Sequence, residues 1–131
     1  MADRTGLPLA VHTAAATPPE VPLVPETLAA TFTAEHPHRL SGDKAYDRAP
    51  LDLALAAVGL ELIAPHRANR NRPKTQDGRP LRRYKRRWKV ERLFARLQHV
   101  RRVLVRHALR VENFLGFLHL GCIMILLRWY L

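Results

Sequence analysis

Two carboxylates set among arginines are the residues of this chain whose types and spacing could do chemistry. Glu91 stands alone in the basic stretch Arg82 to Arg102, RRYKRRWKVERLFARLQHVRR. At roughly 100° per residue, Tyr84, Arg87, Glu91 and Gln98 fall within about 60° on one side of a helix. Any chemistry on this helix would sit on that side. Read on its own, Glu91 is a solvated charge partner, i,i+4 with Arg87 and next to Arg92. Asp43 sits in RLSGDKAYD, at a Gly-marked turn after a short strand. Alone it reads as a turn or capping carboxylate. It also falls at the carboxyl end of a strand, where ligands and catalytic groups of open parallel α/β sheets gather. Both readings of each carboxylate stand at this point.

The elements that must position them follow from the pattern. Val90, Leu93, Leu97, Val100, Leu104 and Ala108 form a second stripe on the basic helix, with the spacing of a core-facing side. Pro50 to Val58 reads as a helix with Leu51, Leu55 and Val58 on one side, Pro50 in its first turn and Gly59 at its stop. Leu60 to Pro65 follows as a strand ended by proline. Strand, helix, strand with such short connections predicts a right-handed βαβ unit with a parallel pair. Leu7 to Thr13 has strand character, Thr17 to Pro25 with its prolines reads as loop, and Glu26 to Phe32 as a helix remnant. His66 to Pro80, HRANRNRPKTQDGRP, reads as a mobile basic loop with a turn at Gln76-Asp77-Gly78, either a solvated linker or a nucleic-acid contact that orders on binding. Phe114 to Leu127 is apolar over fourteen residues, short of the roughly twenty that span a bilayer, and is expected to be a core helix, with Val111-Glu112-Asn113 as the break before it.

Composition narrows the partner. At 131 residues the chain is long enough for one domain with a modest core. Its formal net charge of +11 is concentrated: Arg67 to Arg110 holds seventeen Lys/Arg against two acids, while residues 1–65 hold four against eight. That asymmetry points to a polyanion. One cysteine, Cys122, excludes an intramolecular disulfide and fits a reducing cytosol, most simply as a small buried hydrophobe. His36-Pro37-His38 is read as loop rather than a metal pair. No secretory leader is visible in MADRTGLPLAV, so a cytoplasmic, nucleoid-associated protein is expected.

The order Tyr84, two residues, Arg87, three residues, Glu91 is similar to the signature of DDE-type insertion-sequence transposases of bacteria. GDKAYD, carrying Asp43, resembles the segment around the second catalytic Asp of that family, and DRTGLPLAV resembles the strand that precedes it. The resemblance implies an α/β chain, a partial RNase H-like fold with a short sheet and βαβ unit followed by two long C-terminal helices. It implies that residues 1–131 are the C-terminal part of a transposase DDE catalytic domain. It makes Asp43 and Glu91 catalytic and metal-holding, with Mg²⁺ or Mn²⁺ as cofactor. Tyr84, Arg87, Gln98, Lys85, Arg86, Arg96, Arg101 and Arg102 would contact DNA, both transposon ends and target. In the family a Lys follows the Glu after six residues; here that position is Gln98, and Arg96, Arg101 and Arg102 are the candidates to carry its charge. The family's first Asp lies upstream of the strand that Leu7 to Thr13 resembles, and Asp3, before that strand and expected in a disordered terminus, is a poor replacement. A remnant, or the second frame of a product fused to an upstream transposase segment, is therefore expected, inactive by itself. The alternatives are a non-enzymatic basic nucleic-acid-binding protein and, more remotely, a small membrane protein inserted through Phe114 to Leu131.

Overall fold

A computed structural model describes residues 1–15, 19–69, 71, 73, 78–85, 87–105 and 108–131. The architecture is a mixture of helices with one small parallel sheet, and it separates into two compact units: residues 35–87, and residues 1–34 with 88–131.

The unit of residues 35–87 holds the expected strand, helix, strand. Strand β1 (Arg39–Ser41) pairs in parallel with β2 (Glu61–Ile63), Leu40 opposite Leu62 and Ser41 opposite Ile63. Between them runs a helix, Ala49–Ala57, with Pro50 in its first turn. Gly59, at φ 75°, ends the helix by entering a region that side-chain-bearing residues rarely adopt. Leu55, Leu60, Leu62, Ile63 and Ala64 are buried. Val58, expected on the buried side, is 73% exposed, because it lies past the last helical turn and no longer follows the helix phase. In chain order the helices are α1 (Val24–Ala29), α2 (Ala49–Ala57), α3 (Gly78–Tyr84), α4 (Trp88–Gln98), α5 (Arg101–Leu104) and α6 (Val111–Tyr130). Residues 78–80, expected in the basic loop, open α3. Gln76 and Asp77 of the expected turn lie outside the described residues.

The rest of the chain departs from several expectations. Leu7 to Thr13 makes no strand; it forms single bridges, Ala2 with Pro8 and Ala10 with Thr31. Pro8 has no N–H to donate to a ladder, and Gly6 at φ 89° folds residues 1–5 back against the segment. The terminus is accordingly a clasp rather than a loose end: the Met1 ammonium donates to the Ala10 carbonyl at 2.8 Å and Leu9 N–H to Met1 O at 3.0 Å. Residues 21–29, partly expected as loop, form a 3-10 turn and α1, with Pro22 and Pro25 at first-turn positions where their missing N–H costs nothing.

The single long basic helix is also replaced. The stretch from Arg82 to Arg102 runs through α3, α4 and α5, so two long C-terminal helices are not what the chain forms. A continuous helix would set Arg82 over Arg86 and Arg83 over Arg87, like charges at i,i+4 with Glu91 the nearest acid downstream. The chain instead turns after Tyr84, whose carbonyl accepts from Arg87 N–H at 2.9 Å. A second turn at His99-Val100 closes with Val100 N–H on Leu97 O at 3.0 Å, leaving Val100 extended.

A further correction concerns α6. It is 20 residues long and begins at Val111, where a break was expected; the break falls before it. Only Gly121 and Cys122 are buried. Leu93 and Leu97 of α4 pack with Cys122, flanked by Ala2, Val11, Val103 and Ile125. Leu120, Ile123, Met124 and Leu127, about half exposed, lie outside that cluster because α4, α5 and the clasp cover only one side of the helix. By length and composition α6 could cross a membrane, so the shortness of the apolar run is no argument against a span. Burial raises the Cys122 thiol above its usual value, partly countered by the nearby amino terminus, which keeps it a protonated, inert hydrophobe.

Candidate functional site

Asp43 follows β1 directly, and the structure gives its carboxylate two tasks. Oδ1 accepts the Ala45 N–H at 2.7 Å, capping a 3-10 turn over Lys44–Tyr46. Oδ2 lies 3.8 Å from the Arg87 guanidinium. The Asp43 side chain is 43% exposed and that of Arg87 35%, so this is a screened surface pair worth no more than about 1 kcal/mol. Arg87 also lies over the Tyr84 ring at 5.6 Å. Tyr84, Arg87 and Asp43 are thus brought together in the strand-containing unit. Gly42, just before Asp43, leaves room for the Tyr46 ring of the 3-10 turn, since a Cβ there would meet that ring at 2.8 Å.

Glu91 stands exposed in the first turn of α4, where a negative charge is favoured by the helix dipole. Gln98 is the last residue of that helix and exposed, as is Arg96. Because α3 and α4 are separate helices, Tyr84, Arg87, Glu91 and Gln98 do not share one helical side. Arg101 and Arg102 are exposed on α5, Arg102 lying 5.7 Å from the Phe117 ring, and Lys85 is exposed after α3. Arg86 lies outside the described residues. On α4 Trp88 carries Arg92 at 4.3 Å and Lys89 at 5.8 Å over its ring, and Lys89 reaches back to the Arg4 carbonyl. Asp3 is consumed locally: its carboxylate accepts from the Thr5 and Leu7 N–H groups and the Thr5 hydroxyl at 2.7–2.8 Å. Burial would raise the Asp3 carboxyl, but the hydrogen bonds of Thr5, Leu7 and Gly6 outweigh it and hold it below the ordinary value.

Sequence reasoning gave Asp47 no role and placed His66 and Arg67 in the mobile basic loop, whereas the structure ties both to the segment after β1. Asp47 Oδ1 is 3.2 Å from His66 Nδ1, Oδ2 accepts Arg67 N–H at 3.0 Å, and the Asp47 side chain is 7% exposed. The available signal was position: Asp47 closes the turn that Asp43 opens, and His66-Arg67 comes directly after the proline that ends β2.

A carboxylate beside a guanidinium at the carboxyl edge of a parallel strand pair, in a chain this basic, is a pattern suited to phosphate. The chain belongs to the transposase DDE domain family, whose family model matches residues 1–127. No curated protein and no solved structure matches it. Membership carries a role in transposition and a DNA partner, and such transposases typically use divalent metal. It also places α6, nearly to its end, within the transposase domain. Asp43 and Glu91 have the oxygen donors that hard cations take. Among the described residues no group of three His, Cys, Asp or Glu side chains gathers, and Asp43 is engaged by an amide and an arginine.

Proposed function

We propose that this chain is the DNA-engaging, two-carboxylate portion of a transposase catalytic domain with an RNase H-like fold. The reaction it serves is phosphodiester hydrolysis and strand transfer on DNA. The observation that carries the reading is Asp43: it stands at the carboxyl end of β1 in a chain matched to the transposase DDE domain, 3.8 Å from Arg87. Asp43 and Glu91 are the catalytic carboxylates in this reading, and Tyr84 and Arg87 position a DNA phosphate. Lys85, Arg86, Arg96, Gln98, Arg101 and Arg102 follow the backbone of transposon ends and target, a sequence-independent contact. In this reading Asp43 and Glu91 act with a further carboxylate, as the family's set of two Asp and one Glu implies. The chain by itself binds DNA in the cytoplasm, at the nucleoid, without cutting it.

The test is plasmid nicking in Mg²⁺ or Mn²⁺ buffer, by the chain alone and by the chain joined to an upstream transposase segment carrying a further Asp. The joined protein should cut, and Asp43→Asn or Glu91→Gln should each abolish cutting while leaving DNA affinity nearly intact. Nicking by the chain alone, lost in Asp43→Asn, would overturn the need for a further carboxylate. A second reading, a non-enzymatic DNA-binding protein, draws on the cap and ion pair that engage Asp43. Metal-independent binding, with no cutting in any combination, selects it.

A further inference from the structure

The two segments that leave the carboxyl ends of the parallel strands are tied to each other. Ser41 pairs with Ile63, so the chain after β1 and the chain after β2 emerge side by side. The first carries Asp43, the 3-10 turn and Asp47; the second carries Pro65, His66 and Arg67. Arg67 spans the turn: Nε donates to the Lys44 carbonyl at 3.0 Å and Nη2 to the Ala45 carbonyl at 3.2 Å. Its backbone N–H donates to Asp47 Oδ2 at 3.0 Å, while the other Asp47 oxygen faces His66 Nδ1 at 3.2 Å. A 3-10 turn of three residues has poor internal hydrogen-bond geometry and little to hold it alone. Here its carbonyls and its closing carboxylate are held from the neighbouring strand end, and Asp43 is the residue that caps it.

We propose that Asp47, His66 and Arg67 form a clamp that fixes the turn carrying Asp43, and that Arg67 and Asp47 are positioning residues for the reaction. The inference rests on the reading of Asp43 as a catalytic carboxylate. It has a consequence for the basic segment: its first two residues are spent on holding Asp43 in place, and contacts to DNA begin beyond them. Planarity matters, because one guanidinium reaches two successive carbonyls in a fork that a lysine ammonium does not reproduce.

The experiment measures backbone ¹⁵N order parameters of the full chain and of Arg67→Ala, Arg67→Lys and Asp47→Asn. The amides of Ala45 and Tyr46 report the turn. Those of Gly42, bonded to Ile63 O, and Glu61, bonded to His38 O, report the sheet. In Arg67→Ala the turn amides should fall from about 0.85 to below about 0.6 while the sheet amides stay rigid. Asp47→Asn should give a smaller fall, and Arg67→Lys should not restore the parent values. Turn amides unchanged in Arg67→Ala would overturn the clamp, as would turn and sheet loosening together, which would make Arg67 a residue of general stability. The joined, cutting protein separates the two levels of the argument: Arg67→Ala should lower kcat at least tenfold with the KM for DNA within twofold. If the turn loosens but Asp43→Asn leaves cutting intact, the catalytic reading of Asp43 falls and the positioning role falls with it. If the turn stays rigid and Asp43→Asn abolishes cutting, only the clamp is wrong.

Discussion

The helix that carries Glu91 packs on α6, and its closest approach there, at Gly121, yields a double-mutant prediction. A Cβ built on Gly121 would lie 3.0 Å from Leu97 Cδ2 and 3.4 Å from Val100 Cγ2. Leu97 is 5% exposed and belongs to the small cluster with Leu93 and Cys122. Leu97→Ala should cost about 2–5 kcal/mol, a large share of the roughly 5–15 kcal/mol that holds a domain together. Gly121→Ala alone sets two effects against each other. Replacing glycine inside a helix gains about 1 kcal/mol, while pressing the new methyl on Leu97 costs about 1–3 kcal/mol. The single substitution should therefore be neutral to about 2 kcal/mol destabilising. In the Leu97→Ala background the crowding is gone and the methyl enters the vacated space. There Gly121→Ala should stabilise by about 1–2 kcal/mol, the propensity gain plus part of the roughly 0.8 kcal/mol of a buried methylene. Urea unfolding followed by far-UV circular dichroism, with the slope compared across all four proteins, measures the coupling. Energies that add to within about 0.5 kcal/mol would show that Leu97 and Gly121 do not touch, and the packing of α4 on α6 would have to be redrawn.

Other outcomes are open to direct measurement. DNA binding should show little sequence preference and, if about six phosphates are neutralised, a slope of log K on log salt near −5; Arg87→Ala should weaken binding, and an affinity indifferent to salt would remove the polyanion argument. The apolar side of α6 should bind a hydrophobic dye in the folded chain, with a low-lying melting transition; sharp unfolding without dye binding would mean that this face is covered in solution. Since the Asp3 carboxyl is held below its ordinary value, its contribution is fully present above the unfolded value and is lost as pH falls through the folded one. The stability gap between the parent and Asp3→Asn should accordingly be level at neutral pH and close in acid, and a gap that widens in acid would contradict the clasp.

What local punctuation controls was legible from the residues. Proline in the first turn of α2, Gly59 at its end and Pro65 after β2 specify helix and strand limits through backbone geometry, so the parallel pair and the turn presenting Asp43 could be read directly. The capping role of Asp43 was one of its two readings, and the structure shows that cap together with the Arg87 contact. Periodicity misled wherever it was asked to report a long-range partner. Leu104 continues the apolar stripe in sequence yet is 60% exposed, because the turn at His99-Val100 rotates the chain out of phase. The side of Tyr84, Arg87, Glu91 and Gln98 dissolves for the same kind of reason at Tyr84. Residues 114–127 are apolar enough for a core, but apolarity states only what a helix could bury, and here the neighbours fully cover only Gly121 and Cys122. The Asp47, His66 and Arg67 contacts join residues some twenty positions apart, and no spacing rule connects them. A sequence determines which conformations each segment tolerates; which faces are covered, and which side chains meet, depends on contacts distant in the chain that only the folded structure brings into being.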